Sequence, residues 1–407
     1  MLVLAVEAVE EDCQMVCTWF AGGIDVKLAK KKKLKIAVFG QKRIPSREGG
    51  VEIVVEELAT RVASLGNQVT VYNRSGHHVS GSEFDAKKLK SYKGVRIKTV
   101  PTIQRKGLAA VSSSFFASLC AAWGNYDVVH IHAEGPAFWC AIPKFFGKRV
   151  IVTIHGIDWQ RAKWSNSFGS KYIKKAEQKA VQHADAIIVL SKNVQDYFRE
   201  QYNRETFFIP NGVNRPNLEE AKEITERWGL KKDGYVLFLG RIVPEKGLKY
   251  LVDAWKDIKT DKKLVIAGGT SDTDDFVIDL QKNCGDNVIF TNFVQGRALR
   301  ELYSNAYVYT LPSDLEGMPL SLLEAMSYGN CCLTSDIPEC AEVVEDKAVL
   351  FKKSDVADLR MKLQNLLDHP EIVQKYKSDA AEFICRKYNW DDVTEKTIEL
   401  FQDGKKK

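Results

Sequence analysis

From Lys35 onward, short apolar runs alternate with stretches of helical period, and this pattern occurs twice along the chain. "KIAVFG", "QVTVYN", "DVVHIH", "RVIVTIH", "DAIIVLS" and "TFFIP" are strand candidates in the first series, mostly separated by helix-like segments. One of these helices, "VEIVVEELATRVASLG", follows a glycine-containing loop and ends at Gly66. After "PNGVNRPN" a second series begins with "YVLFLG", "KLVIAGG", "NVIFTNF", "AYVYTLP" and "CCLTS". Strand–helix–strand alternation predicts parallel sheets covered on both faces. A chain of 407 residues is also too long for one ordinary core. The expectation is an α/β protein of two doubly wound, Rossmann-like domains facing each other across a cleft. Pro210, Gly212 and Pro216 punctuate the junction. The expected boundaries are an N-terminal extension over 1–34, a first domain over 35–212, a second over 213–390, and a C-terminal helix over 391–407 that crosses back to the first domain. Ligands of such sheets sit beyond the carboxyl ends of the strands, so the cleft is the expected site.

Composition narrows the class. Hydrophobic residues make up 45% and charged residues 28%, the balance of a globular protein. A formal charge of +6 does not call for nucleic acid, but it suits an anionic ligand or membrane surface. Nine scattered cysteines without a CxxC read as buried thiols in a reducing cytosol. "MLVLAVEAVEEDCQMVCTWFAGG" is broken by Glu7, Glu10, Glu11 and Asp12, so it reads neither as a signal peptide nor as a membrane span. The lysines from Lys27 to Lys35 form a basic cluster before the first strand. Two readings stay open for it: a solvated run, or attraction to anionic headgroups at the inner face of the plasma membrane.

"SDLEGMPLSLLEAMSYGN" places Glu316 in a loop and Glu324 in the following helix, with Pro319 in its first turn and Gly329 past its end. Were the whole interval helical, the carboxylates would stand about 12 Å apart. That spacing suits two parts of a long ligand better than one shared proton. A helix N-terminus lies between them and attracts anions. From spacing alone, a surface glutamate at each position remains open. "FLGRIVPEKGLKYLVDAW" adds Arg241 and Lys246 in a loop between a strand and a helix. Arginine grips phosphate with a planar fork, and lysine adds a point charge.

Together these residues resemble the nucleotide-sugar glycosyltransferases of family 4, with the GT-B fold. "EGMPLSLLEAMSYG" is similar to the family's paired-glutamate motif, "LGRIVPEKG" to its diphosphate loop, and "FIPNGV" to the end of its first domain. "NFVQG", with Phe293 and Gly296, stands where the family recognises the base. "GQKRIPSREGGVEIVVEELA" resembles its Gly-Gly loop, in a form similar to capsule and exopolysaccharide transferases. The resemblance implies a retaining, metal-independent transferase without a cofactor. The nucleoside diphosphate sugar is then a substrate, a UDP-sugar first, with dTDP-rhamnose and GDP-sugars as the other candidates. It implies that Arg241 and Lys246 bind the diphosphate, Glu324 the ribose hydroxyls and Glu316 the donor sugar. Gly49 and Gly50 would admit the phosphates to the backbone, Phe293 would sit at the base, and His155 would hydrogen-bond the transferred sugar. Gly317, Met318, Pro319 and Leu320 complete the donor set. The first domain would take a saccharide or lipid-linked saccharide acceptor in surface polysaccharide synthesis.

Other candidates carry two readings each. His130 and His132 share one strand face, but no third metal ligand of fitting spacing accompanies them. His132 can also line the acceptor side. Arg43, Arg47 and Glu48 flank the Gly-Gly loop, as ligand contacts or as solvated charges. Trp159 and Trp164 follow His155, as packing or as stacking surfaces. Two rivals to transfer remain: a nucleotide-sugar epimerase on the same fold, and a non-catalytic nucleotide-sugar-binding subunit.

Overall fold

The computed structural model describes residues 33–78, 81, 89–105, 107–157, 159, 168–270 and 274–403. Most of the extension, all but one of the lysines from Lys27 to Lys33, and Trp164 lie outside the described residues.

In chain order the first half reads β1 (Lys35–Phe39), α1 (Gly50–Ser64), β2 (Gln68–Arg74), β3 (Ser91–Tyr92), β4 (Val95–Val100), α2 (Leu108–Trp123) and β5 (Val128–His132). It continues with α3 (Glu134–Ala137), α4 (Ala141–Phe145), β6 (Arg149–Ile154), α5 (Phe168–His183), β7 (Ala186–Val189), α6 (Lys192–Tyr202) and β8 (Phe207–Phe208). These strands form one sheet in the order β3-β4-β2-β1-β5-β6-β7-β8, parallel except for the β3–β4 pair. The alternation of β1 explains how helices cover both faces. Ile36 and Val38 pack on one side with Val54, Val55 and Leu58 of α1. Ala37 and Phe39 pack on the other with Ala117 and Ala121 of α2.

The second half reads α7 (Glu223–Trp228), β9 (Tyr235–Leu239), α8 (Leu248–Trp255), β10 (Lys263–Ala267), α9 (Asp274–Lys282), β11 (Val288–Asn292) and α10 (Gly296–Asn305). There follow β12 (Val308–Leu311), α11 (Leu320–Ser327), β13 (Cys331–Ser335), α12 (Pro338–Val344), β14 (Val349–Phe351), α13 (Val356–Asp368), α14 (Pro370–Lys387) and α15 (Trp390–Gln402). The sheet order is β11-β10-β9-β12-β13-β14, all parallel. Cys331 and Cys332 are buried free thiols on β13. The last helix, α15, leaves its own sheet and joins the first core through Trp390, Val393, Ile398 and Phe401. No helix among the described residues is long and apolar enough to cross a membrane.

Both sheets reverse their winding near the middle, the first between β1 and β5 and the second between β9 and β12. Loops diverge at such a point and leave a crevice beyond the carboxyl ends of the strands. The loops leaving β1, β9 and β12 carry the Gly-Gly, Arg241–Lys246 and Glu316 sequences, and all three open onto a single cavity.

Candidate functional site

The cavity has a volume of about 720 Å³ and is lined from both halves of the chain. The residues expected to hold the donor or act on it line the cavity: Gly49, Gly50, His155, Arg241, Lys246, Phe293, Glu316, Gly317, Met318, Pro319, Leu320 and Glu324, whereas Gly296 does not.

Lys246 is positioned by a tight turn. Pro244–Lys246 form one 3-10 turn, and Gly247 follows with φ of +67°, where a Cβ would lie 1.9 Å from the Pro312 carbonyl oxygen. Only glycine fits there. Lys246 Nζ forms an ion pair with Glu316, and Ser313 Oγ donates to the same carboxylate oxygen at 2.6 Å. Both charged side chains are largely buried, so the pair fixes Glu316 in the loop between β12 and α11. Helix α11 begins at Leu320, with Pro319 as its cap rather than inside its first turn. Its free N–H groups therefore face the cavity between the two carboxylates.

Glu324, one turn into α11, accepts from Arg47 Nη1 at 2.6 Å and from Tyr303 Oη at 3.2 Å. Arg47 comes from the first half of the chain, in the loop before Gly49. Sequence reasoning left it between ligand contact and solvated charge, whereas the fold sets it against the second glutamate. Two further cations also escaped that reasoning. Lys42 and Arg74 line the same cavity, and Arg74 donates to the Gly40 carbonyl at 3.1 Å. Burial lowers the pKa of Lys42, against the opposing pull of Glu52 and Glu48. Glu48 is buried and pairs with Arg43 at 3.0 Å, so these two are structural partners within the loop.

The halves touch at several points around the cavity. Gly317 lies so close to His155 that a Cβ on it would stand 1.6 Å from the His155 carbonyl oxygen. The Asn211 N–H donates to Met318 Sδ at 3.0 Å. A Cβ on Gly50 would meet Leu320 Cδ1 at 3.2 Å. Phe293 packs on His78, with ring centroids 4.8 Å apart.

Behind His155 stands a histidine stack. His155 Nε2 and His132 Nδ1 are 3.0 Å apart, and His130 Nε2 is bonded to Thr153 Oγ1 at 2.7 Å. His132 is buried and does not line the cavity, so it supports His155 instead of facing the acceptor side. Burial, with the neighbouring histidines, holds the His132 pKa well below its usual value and lowers that of His130 to about 3. Both rings are therefore neutral at ordinary pH. Trp159 packs on the first core with Lys174 Nζ 4.0 Å from its ring centre.

Cations on two loops, a helix N-terminus and two carboxylates ring a cleft between two Rossmann-like sheets. Residues 48–215 match the model of Glycosyltransferase Family 4, and residues 220–383 match that of Glycosyl transferases group 1. The chain is a GT-B glycosyltransferase of the family 4 type. The glycosyltransferase is 25% identical over 391 residues to an uncharacterized glycosyltransferase of Methanocaldococcus jannaschii, spanning 91% of this chain and 98% of that one. It is 24% identical over 270 residues to the O-antigen chain mannosyltransferase RfbU of Salmonella typhimurium, spanning 61% and 74% of the two chains. Among solved structures, it is similar in fold to Anabaena HepE in complex with UDP and glucose, with a TM-score of 0.76, 17% identity and coverage of 91% and 100%.

Proposed function

We propose that the transferase moves a hexose-type sugar, with retention of configuration, from a nucleoside diphosphate sugar to a saccharide or lipid-linked saccharide acceptor. UDP-sugars are the favoured donors. The observation that carries this reading is the convergence of Arg241, Lys246, Glu316, Glu324 and the α11 N-terminus on one cavity. Arg241, Lys246 and the free N–H groups of α11 take the diphosphate and stabilise the charge that develops as it leaves. Glu324 accepts from the ribose hydroxyls and Glu316 from the sugar. His155, steadied by His132, is placed across the cleft to orient the transferred sugar. These groups need only bind and orient, and the reaction runs without a bound metal. The likeness to a protein seen with UDP and glucose supports the donor class. The RfbU relative supports a surface-polysaccharide acceptor, and in this reading the acceptor is met at the inner face of the plasma membrane.

A thermal-shift screen with UDP, GDP and dTDP tests the base, because selective binding stabilises the folded state. Incubation of the preferred donor with oligosaccharide acceptors then tests transfer, and NMR of the product reports the anomeric configuration. A changed free sugar nucleotide without acceptor would establish an epimerase. Donor binding with no turnover on any acceptor would establish a binding subunit.

A further inference from the structure

Away from the cavity, the first sheet exposes a cluster of aromatic rings at its other edge. Trp123 ends α2, and Phe145 and Phe146 end α4, with exposures of 69%, 87% and 45%. The Phe146 ring lies 5.8 Å from Trp123 and 5.6 Å from Phe145, centre to centre. These residues lead into β5 and β6, whose first residues Val128 and Arg149 are register partners. The cluster therefore sits at the amino edge of the strands, whereas the cavity opens at the carboxyl edge.

Positive charge gathers at that amino edge. Lys144 and Lys148 bracket Phe145 and Phe146, and Lys148 Nζ donates to the Gly124 carbonyl at 2.8 Å. β1 enters beside β5, with Ile36 opposite Val128, and Lys33 just before it is exposed. In sequence, Lys30, Lys31 and Lys32 come immediately before. α15 ends beside the start of β6, where Arg149 Nε donates to the Leu400 carbonyl at 2.8 Å. Lys405, Lys406 and Lys407 follow that helix in sequence. Of the acids at this edge, Asp127 accepts from the Lys35 N–H, and Asp185 accepts from the Val150 N–H and forms an ion pair with Lys144 Nζ at 2.5 Å.

Clustered aromatic rings favour the headgroup layer of a bilayer, and lysines around them favour an anionic one. We propose that the amino edge of the first sheet is a docking surface for an anionic bilayer, with Trp123, Phe145 and Phe146 seated among the headgroups. This deepens the membrane-face part of the proposed function and rests on it. A consequence follows for the acceptor. The five-residue β5 separates the two edges by about 17 Å. Docking leaves the cavity mouth turned away from the bilayer, so a membrane-held acceptor must extend past that depth. The acceptor class is then an already elongated saccharide, not the first sugar on a lipid.

The test uses the full chain and flotation with vesicles of phosphatidylcholine, with and without phosphatidylglycerol. Wild-type protein should float with the anionic vesicles at low salt and not with phosphatidylcholine alone. Replacing Trp123, Phe145 and Phe146 together by serine should weaken flotation about tenfold or more. Nucleoside diphosphate affinity and transfer to a soluble acceptor should stay at wild-type values, which also certifies the fold. As a second measurement, brominated lipids should quench part of the wild-type tryptophan fluorescence, and Trp123→Phe should remove that part. Equal flotation of the triple variant would overturn the edge assignment while leaving membrane contact intact. Failure of wild-type protein to float would overturn membrane contact itself, without touching donor binding. A dimer that the triple variant splits, with no flotation, would assign the surface to a second copy of the chain and overturn the proposal.

Discussion

Arg47 and Glu324, 277 residues apart in sequence, meet across the cleft at 2.6 Å. The carboxylate assigned to the ribose is thus already held by a guanidinium from the opposite domain. On that assignment, a nucleotide entering the cavity must share Glu324 with Arg47 or displace it. The two domains are coupled through that carboxylate before any donor arrives.

Removing each partner should therefore have opposite effects on nucleotide binding. Arg47→Ala frees Glu324 and should leave nucleoside diphosphate affinity slightly tighter, by up to about threefold. The partly exposed pair itself is worth only about 0–1 kcal/mol. Glu324→Ala should weaken the same affinity about tenfold, since a charged hydrogen bond contributes ~1.5–3 kcal/mol. Calorimetry on both variants decides, and weakening by Arg47→Ala would show that the arginine binds the nucleotide directly.

Lys246→Ala and Arg241→Ala should each weaken diphosphate binding about tenfold or more. Glu316→Gln should spare diphosphate binding and depress turnover, because its assigned contact is to the sugar. The Lys246–Glu316 ion pair links the two phenotypes, so the double variant should fall short of the summed effects. Titration and steady-state kinetics on the same preparations separate these outcomes.

Gly317→Ala should prevent the cleft from closing as it does here. The added methyl would stand 1.6 Å from the His155 carbonyl oxygen, a distance only separation of the domains can relieve. Turnover should fall about tenfold or more, while the melting temperature changes little because neither core is touched. Small-angle scattering should show a larger radius of gyration at saturating donor than for wild type. Wild-type turnover would mean that the productive closure lies elsewhere.

Acid should destabilise the first domain through its histidine stack. Burial lowers the His130 pKa to about 3, against about 6.5 in an unfolded chain. Between those values the unfolded chain binds the extra proton. Stability is therefore full above pH 6.5 and falls as pH drops toward 3. From His130 alone the loss between pH 6.5 and 5 is about 2 kcal/mol, and His132 adds to it in the same direction. Urea unfolding at both pH values should show the loss, and His130→Gln should reduce it.

Much of this was legible in the sequence because it is local. Runs such as "KIAVF" and "YVLFL" fix strands by apolar length, and glycines at 247 and 329 fix turns by conformation. The Glu316 and Glu324 pair and the Arg241–Lys246 loop are each confined to one strand–loop–helix unit, so their spacing survives folding. Strands β3, β4 and β14 were harder to see. β3 and β14 have only two and three residues, and β4, next to the edge strand β3, keeps Val95, Ile97 and Val100 buried among exposed neighbours, so each carries a weak signal.

What the sequence could not set is which residues meet across the cleft. Arg47 against Glu324, Gly317 against His155 and Asn211 against Met318 join segments that share no local pattern. Those contacts depend on how two independently wound sheets are brought face to face. The spacing of charges along the chain determined the chemistry available to this transferase, and tertiary packing decided which charges oppose one another, because only packing sets distances between residues far apart in sequence.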